Sequence, residues 1–149
     1  MKKLYILFLI VSLTTSVLQA QIINPVKWST SVKKISDTEY ELSAIATIDS
    51  GWHLYSQNVP EDGPIPTTFT FKSDANYAKK GNTKEEKGHT VNDAVFEMTI
   101  KFFENKTTFK QLVKILKTTK TITGEVEFMA CNDVQCTPPT TVDLEFILN

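Results

Sequence analysis

Hydrophobic and polar residues alternate with a period of two along most of this chain. Phe69 and Phe71, for example, alternate with Thr68, Thr70 and Lys72. The same apolar spacing occurs at Phe96, Met98, Ile100 and Phe102, at Ile122, Gly124, Val126 and Phe128, and at Val142, Leu144, Phe146 and Leu148. Because successive side chains of a β-strand point to opposite faces of its sheet, this pattern predicts four strands, each with one buried face.

Earlier parts of the chain predict further strands. The candidates are Val26–Lys34, Glu39–Ile48 and residues 51–56, with turn-forming residues between them. The apolar residues within 107–116 fit the spacing of a helix as well as that of a strand, and we favour the strand. Many short strands joined by turns predict an all-β fold, an immunoglobulin-like β-sandwich of about seven to nine strands.

Two segments are predicted to be loops. Residues 59–67 contain three prolines and a glycine, and residues 73–93 are polar and rich in Lys, Asn and Glu. A surface loop longer than about 12 residues in a compact domain often has a binding or covering role. We therefore regard residues 73–93 as a candidate functional loop.

The first twenty residues have the features of an export signal. Lys2 and Lys3 precede an apolar run from residue 4 to residue 13, and Ala20 is a small residue suited to cleavage. We expect a signal peptide over 1–20 and one domain of about 129 residues over 21–149, in the periplasm or outside the cell. No later stretch approaches the roughly 20 apolar residues that span a bilayer, so we expect no membrane span in the mature chain.

The charges argue against nucleic acid as a partner. The chain has 16 lysines, no arginine and 17 acidic residues, and loss of Lys2 and Lys3 leaves 14 against 17, a net charge of about −3. Binding a phosphate backbone requires a basic face, usually with arginine for bidentate contacts. The lysines are instead scattered among alternating strands, as on solvated faces.

The only two cysteines, Cys131 and Cys136, are separated by four residues. Export would place them where disulfides form, so we expect a bond between them. Closing a loop of about six residues restricts the unfolded chain by only about 2 kcal/mol, which is a modest stabilisation. Structural bridges of immunoglobulin-like domains usually join distant strands, so the local spacing suits reversible exchange better.

The exposure of the sulfurs governs how readily they exchange. If Phe128 and Ala130 continue the inward series of their strand, Cys131 leaves it on the outer face, where a partner thiolate can reach it. Pro138 and Pro139 then end the pairing of the strand. Composition and spacing leave two interpretations open, a redox pair and a structural hairpin disulfide.

A zinc site is a weaker alternative. His53 and His89 together with Cys131 and Cys136 would supply four ligands, but the histidines lack metal-ligand spacing. An oxidising compartment also competes for the thiols. We therefore expect neither a metal nor another cofactor.

Two segments of the chain resemble a known family. Residues 128–131, Phe-Met-Ala-Cys, and residues 136–139, Cys-Thr-Pro-Pro, resemble the strand, cysteine pair and Pro-Pro of the N-terminal domain of the thiol:disulfide interchange protein DsbD. Residues 49–57, Asp-Ser-Gly-Trp-His-Leu-Tyr-Ser-Gln, are similar to an early strand of the same family. With the strand pattern between them, the resemblance extends over nearly the whole mature chain.

The resemblance implies a function and a set of site residues. Domains of this family have an immunoglobulin-like fold, accept electrons from a thioredoxin-like domain and reduce exported disulfide proteins. Cys136 matches the attacking thiol and Cys131 the resolving one. His53 and Tyr55 match aromatic residues beside the disulfide, with His53 in place of the usual Tyr. An imidazole at this position can stabilise a thiolate or transfer a proton near neutral pH. The alternative is that His53 and Tyr55 are ordinary, partly buried strand residues without such a role.

Two further features depart from the family pattern. The family covers its disulfide with an acidic loop that bears an aromatic residue, and the matching residues here, about 84–93, include Glu85 and Glu86 but no aromatic residue. A complete DsbD also continues into membrane helices and a thioredoxin-like domain, whereas this sequence ends at Asn149. We therefore expect either a separate protein that supplies the electrons, or a different task such as a secreted binding module with a structural disulfide.

Overall fold

The computed structural model of the protein describes residues 23–93 and 96–148. The expected signal peptide over residues 1–20 lies outside the described residues. No helix long and apolar enough to cross a membrane occurs in the described part of the chain. The secondary structure there consists of eleven β-strands: β1 (Val26–Lys34), β2 (Glu39–Ile48), β3 (His53–Tyr55), β4 (Thr68–Phe71), β5 (Tyr77–Glu85), β6 (His89–Asp93), β7 (Met98–Phe103), β8 (Lys106–Ile115), β9 (Thr121–Phe128), β10 (Ala130–Cys131) and β11 (Thr140–Ile147).

The strands form three antiparallel sheets, which confirms the all-β prediction. The first sheet has the order β1-β2-β8-β5, the second β10-β3-β7-β6 and the third β11-β9-β4. Only Met129 separates β9 from β10, so the chain passes directly from the third sheet into the second. The second sheet therefore holds Cys131 at the end of β10 and His53 at the start of β3.

One hydrophobic core lies between the inner faces of the three sheets. The partly buried Trp28 ring packs against this core and against three other rings, with centroid distances of 5.8 Å to Phe69, 5.8 Å to Phe109 and 5.6 Å to Phe128. Full burial of a large apolar side chain stabilises a fold by about 1.5–3 kcal/mol, so this cluster fixes the sheets against one another.

The segment 107–116, which fitted either a helix or a strand, is a strand. In β8 every second residue is buried, and the residues between them are exposed or partly exposed. The buried Gln111 is satisfied in this position, since its amide N–H donates to the Leu112 carbonyl at 2.8 Å and its Oε1 accepts from Thr83 Oγ1 at 3.0 Å. The preference for a strand is confirmed.

The prediction of a loop over residues 73–93 is wrong for most of that segment, because β5 and β6 lie within it. Among the described residues, β5 pairs with β8 alone and β6 with β7 alone, so both are edge strands. An edge strand with both faces solvated needs no apolar alternation, and the buried residues of these two strands are Tyr77 and Asp93. Together with the two-residue β10, they raise the strand number above the expected seven to nine.

A second, smaller apolar cluster covers the outer face of the second sheet. Leu54 is paired with Ala130 on one side and with Phe103 on the other, and these three side chains face the main core. The residues next to them along their strands point the opposite way. They form the second cluster, whose buried members are Tyr55, Ile100, Phe102 and Cys131.

Candidate functional site

The Cys131–Cys136 disulfide closes a hairpin that begins at the end of β10. The two sulfurs are bonded at 1.98 Å. The Asn132 N–H donates a hydrogen bond to the Gln135 carbonyl at 2.9 Å, so residues 132–135 form the turn of the hairpin. The prediction of a disulfide at a hairpin tip is confirmed.

The two cysteines of this disulfide differ in exposure. Cys131 is completely buried in the second cluster, whereas Cys136 is partly exposed and packs against the edge of that cluster. The prediction that Cys131 is the reachable sulfur is wrong. Cys131 does leave its strand on the outer face of the sheet, but Tyr55 and Phe102 pack around it there. A partner thiolate therefore reaches Cys136 first.

His53 is directly opposite Cys131 in the antiparallel pairing of β3 with β10. Opposite residues of such a ladder point to the same face, so the imidazole and the Cys131 side chain are neighbours on the outer face. The ring is partly buried and packs against Phe102 with centroids 4.7 Å apart. The structure thus brings His53 beside the disulfide.

Tyr55 lies two residues after His53 on the same face and is fully buried. Its hydroxyl donates a hydrogen bond to Asp93 Oδ2 at 3.2 Å and lies 3.2 Å from His53 Nε2. The same Asp93 oxygen is 3.8 Å from His53 Nε2, and the other one accepts a hydrogen bond from the Phe96 N–H at 3.1 Å. An imidazole, a phenol and a buried carboxylate therefore form one polar network beside the disulfide.

Sequence reasoning missed Asp93. It lies in residues 73–93, whose polar composition indicates a loop, and no motif distinguishes it from the other acidic residues there. Only the pairing of β6 with β7, in which Asp93 is opposite Met98, brings its side chain to the outer face of the second sheet. The signal that identifies this residue is long-range strand pairing, which a single sequence does not display.

Burial and neighbouring charges control protonation in the network. Burial lowers the pKa of His53, and the negative charges of Asp93, Glu104 and Asp133 oppose this effect without cancelling it. Burial, reinforced by Asp93, raises the pKa of Tyr55 well above its ordinary value. At neutral pH the imidazole and the phenol are therefore both uncharged, and each can donate or accept a hydrogen bond.

A surface groove of about 340 Å³ leads from β6 across the second sheet to the disulfide hairpin. Its lining includes His53 and Phe102, with the carboxylates of Asp93, Glu104 and Asp133 around them. The groove ends at the turn of the disulfide hairpin, where Asn132 and Asp133 line it.

The two glutamates of the expected lid have other partners. Glu85 accepts hydrogen bonds from Ser56 Oγ at 2.6 Å and from the Gln57 N–H at 2.8 Å, and it pairs with Lys101 at 2.9 Å. Burial works to raise the pKa of Glu85, but Lys101 and the two hydrogen bonds outweigh it and lower the pKa. The Glu86 carbonyl accepts from Lys101 Nζ at 2.8 Å. A role for either glutamate at the disulfide stays a prediction.

An aromatic side chain packs against the second cluster, but it comes from outside residues 84–93, the segment expected to cover the disulfide. Residues 84–93 lie mainly in β5 and β6 rather than in a loop. Phe96 comes shortly after this segment, in the turn before β7, and packs against the cluster that contains Cys131. Its ring is perpendicular to that of Tyr55, with centroids 5.9 Å apart.

The described residues offer no metal centre. In this part of the chain no group of three or more His, Cys, Asp or Glu side chains is arranged to hold a metal ion. His53 and His89 both pack against the Phe102 ring, at centroid distances of 4.7 and 6.1 Å, and both cysteines are in the disulfide. The zinc alternative has no support among these residues.

Fold and site together define a class of protein, an all-β domain with a partly exposed disulfide hairpin beside a buried polar network. Residues 19–147 match the family described as "Thiol:disulfide interchange protein DsbD, N-terminal". Because this match covers most of the sequence, the chain belongs to that family, and the resemblance noted in the sequence is confirmed. No curated protein is similar enough in sequence to match.

Several solved structures have a similar fold. The reduced DsbD N-terminal domain from Neisseria meningitidis has a TM-score of 0.55 at 13% identity, with 82% of this chain and 86% of that chain covered. The complex of the DsbD and PilB N-terminal domains from the same bacterium has a TM-score of 0.56 at 11% identity, with 84% of this chain and 87% of that chain covered. The N-terminal periplasmic domain of ScsB from Proteus mirabilis has a TM-score of 0.52 at 14% identity, with 80% of this chain and 44% of that chain covered. At such identities the likeness concerns the fold alone, and it confirms the predicted immunoglobulin-like sandwich.

Proposed function

We propose that this domain passes electrons between proteins by thiol-disulfide exchange at Cys131 and Cys136. The observation that carries the proposal is the unequal exposure of the two cysteines, since Cys131 is completely buried and Cys136 is partly exposed. Exchange needs one sulfur that is open to attack and a second that leaves and later returns. Membership of the DsbD N-terminal family supports the same chemistry.

Electrons enter when the thiolate of a reduced partner attacks Cys136 Sγ along the line of the sulfur-sulfur bond. A disulfide forms between the partner and Cys136, the bond to Cys131 breaks, and Cys131 leaves as a thiolate that takes up a proton. The partner's second thiolate then attacks the partner's first sulfur and releases Cys136. Two electrons and two protons have moved to the cysteine pair, and the partner is left with a disulfide.

Electrons leave by the reverse sequence on a protein that carries a disulfide. The Cys136 thiolate attacks one sulfur of that protein, and the other sulfur departs as a thiolate. Cys131, as a thiolate, then attacks Cys136 Sγ, which restores the disulfide and releases the reduced protein. Cys136 is thus the attacking thiol and Cys131 the resolving one, and no cofactor beyond the pair takes part.

The network of His53, Tyr55 and Asp93 donates a proton to the Cys131 thiolate and accepts it again from the thiol. A thiolate at Cys131 is costly in an apolar environment, so it needs a proton or a hydrogen-bond donor close by. His53, opposite Cys131, is the group that exchanges this proton. Tyr55 and Asp93 are positioning residues, since their hydrogen bond fixes the hydroxyl that faces His53 Nε2.

The partners in this scheme are a thioredoxin-like protein that supplies electrons and exported disulfide proteins that receive them, in the periplasm. An export signal over residues 1–20 and a mature domain over 21–149 belong to the same proposal. Two neighbours support it: one DsbD N-terminal domain was solved in complex with the PilB N-terminal domain, and the ScsB domain is described as periplasmic.

A purely structural disulfide is the second candidate. The complete burial of Cys131 favours it, because a buried sulfur is protected from exchange. In that case the chain is a secreted binding module whose hairpin is stiffened by the bond.

A redox titration separates the two candidates. The domain is equilibrated in glutathione buffers of graded potential, and its free thiols are counted by alkylation and mass spectrometry. A redox pair opens as a two-electron couple at a potential above about −300 mV. A disulfide that stays closed throughout this range, until the domain unfolds, contradicts the proposal.

A further inference from the structure

Val134 is the most exposed large hydrophobic residue in the described part of the chain. It is 89% exposed, and the next such residue, Ile147, is 59% exposed. Single exposed apolar residues are common on protein surfaces and by themselves mean little. Val134 differs from other exposed apolar residues in its location, because it lies in the turn of the disulfide hairpin between Cys131 and Cys136.

Hydrogen bonds to the Asn132 side chain and the disulfide hold Val134 in this exposed position. Asn132 Oδ1 accepts hydrogen bonds from the Val134 N–H at 2.9 Å and from the Gln135 N–H at 2.8 Å. The Cys131–Cys136 bond closes the loop at its base. The valine therefore cannot turn inward unless these bonds break, so its apolar surface is available to a partner at little cost in conformational entropy.

The exchange reaction brings a protein partner to Val134. A disulfide with Cys136 places the partner's sulfur about 2 Å from Cys136 Sγ. Val134 is two residues from Cys136, a span of at most about 7 Å along the chain. A folded partner that reaches Cys136 therefore also meets Val134, whereas a small thiol does not.

We propose that Val134 is a docking contact that selects protein partners whose reactive cysteine is set in an apolar surface. This inference rests on the proposed function and deepens it by naming the kind of surface that the partner presents. The residues on either side of the valine, Asp133 and Gln135, are exposed and polar. An apolar anchor within a polar rim is the usual anatomy of a protein-binding surface.

Reduction kinetics of polar variants test this docking role. In Val134→Ser and Val134→Thr, neither of which adds charge, we expect the second-order rate constant for reduction by reduced thioredoxin to fall about tenfold. The rate constant for reduction by dithiothreitol stays at the wild-type value. The matched control is Leu116→Ser, which changes an exposed apolar residue just after β8, a strand of the first sheet, and leaves both rate constants unchanged.

Two results overturn the docking role while leaving exchange intact. One is a thioredoxin rate constant for the Val134 variants equal to that of Leu116→Ser. The other is an equal loss with thioredoxin and with dithiothreitol, which indicates a disturbed hairpin. A wild-type disulfide that neither reductant opens overturns the proposed function and the docking role together.

Discussion

Cys131 lies directly opposite His53 where β10 pairs with β3, and this pairing places an imidazole next to a completely buried sulfur. Tyr55 and Asp93 extend the contact into a polar network on the outer face of the second sheet. Because burial disfavours charge on an imidazole and on a thiolate alike, we expect the protonation of His53 to depend on the redox state of the cysteine pair.

We predict that His53 titrates below its ordinary pKa of about 6.5, because burial disfavours the charged ring. The unfolded chain then binds a proton on His53 at a higher pH than the folded domain does. The contribution of His53 to stability is therefore present above its unfolded pKa and is lost as the pH falls through and below that value. The pH dependence of the His53 ring resonances in NMR spectra gives the midpoint.

Variants of the neighbouring carboxylates test the cause of this shift. Asp93→Asn moves the His53 midpoint further down, because the negative charge of Asp93 is the strongest influence that opposes burial. Glu104→Gln moves it in the same direction by less. A midpoint at or above 6.5 in the wild-type domain, or an upward shift in Asp93→Asn, is incompatible with this electrostatic description.

Glu85→Gln should lower the free energy of unfolding at neutral pH by about 1–3 kcal/mol, because three donors bind the partly buried carboxylate. The pKa of Glu85 is lowered in the folded domain, so this stabilisation is present above its ordinary pKa and is lost as the pH falls through the folded value. Urea unfolding of wild type and variant at neutral and acidic pH measures the difference, which should shrink in acid.

The exposed ion pair of Lys34 and Asp37 provides the control for Glu85. Asp37→Asn removes a charge from a pair on the surface, where solvent screens the attraction, and it should leave the unfolding free energy unchanged within error. Equal effects of the Glu85 and Asp37 variants would argue that the Glu85 contacts contribute nothing special to stability.

Phe96→Ala should increase the rate at which dithiothreitol reduces the disulfide severalfold, because the Phe96 ring packs against the cluster that contains Cys131 and Cys136. Phe71→Ala is the matched control. The Phe71 ring packs against the main core beside Phe146, so its loss lowers stability and leaves the rate of reduction unchanged. An unchanged rate in Phe96→Ala would show that this ring does not shield the disulfide.

The strands were predictable where one face is buried and the other is solvated. β1 and β2 have the bounds expected from the sequence, and alternate residues of β9 are buried as its pattern indicated. β5 and β6 were missed because, unlike the edge strands β1, β4 and β11, they have polar residues on both faces. Hydrophobic periodicity reports burial of one face, so it does not detect strands that bury neither.

The site was predictable only as far as its local motifs reach. The hairpin disulfide follows from the spacing of Cys131 and Cys136, and the family resemblance placed His53 and Tyr55 beside it. The burial of Cys131 was not predictable, because period-two spacing assigns a side chain to a face without revealing that a second cluster covers that face. Asp93 reaches the site only through the pairing of β6 with β7.

The most direct test of the exchange mechanism uses the two single-cysteine variants as a matched pair. Each is mixed with a thioredoxin that retains only its attacking cysteine, activated as a thionitrobenzoate disulfide. Cys131→Ala leaves the reachable Cys136 thiol, and we expect a disulfide-linked heterodimer with release of one equivalent of thionitrobenzoate. Cys136→Ala leaves only the buried Cys131, and we expect no heterodimer on the same timescale. Equal trapping by both variants, or trapping by neither, would contradict this mechanism.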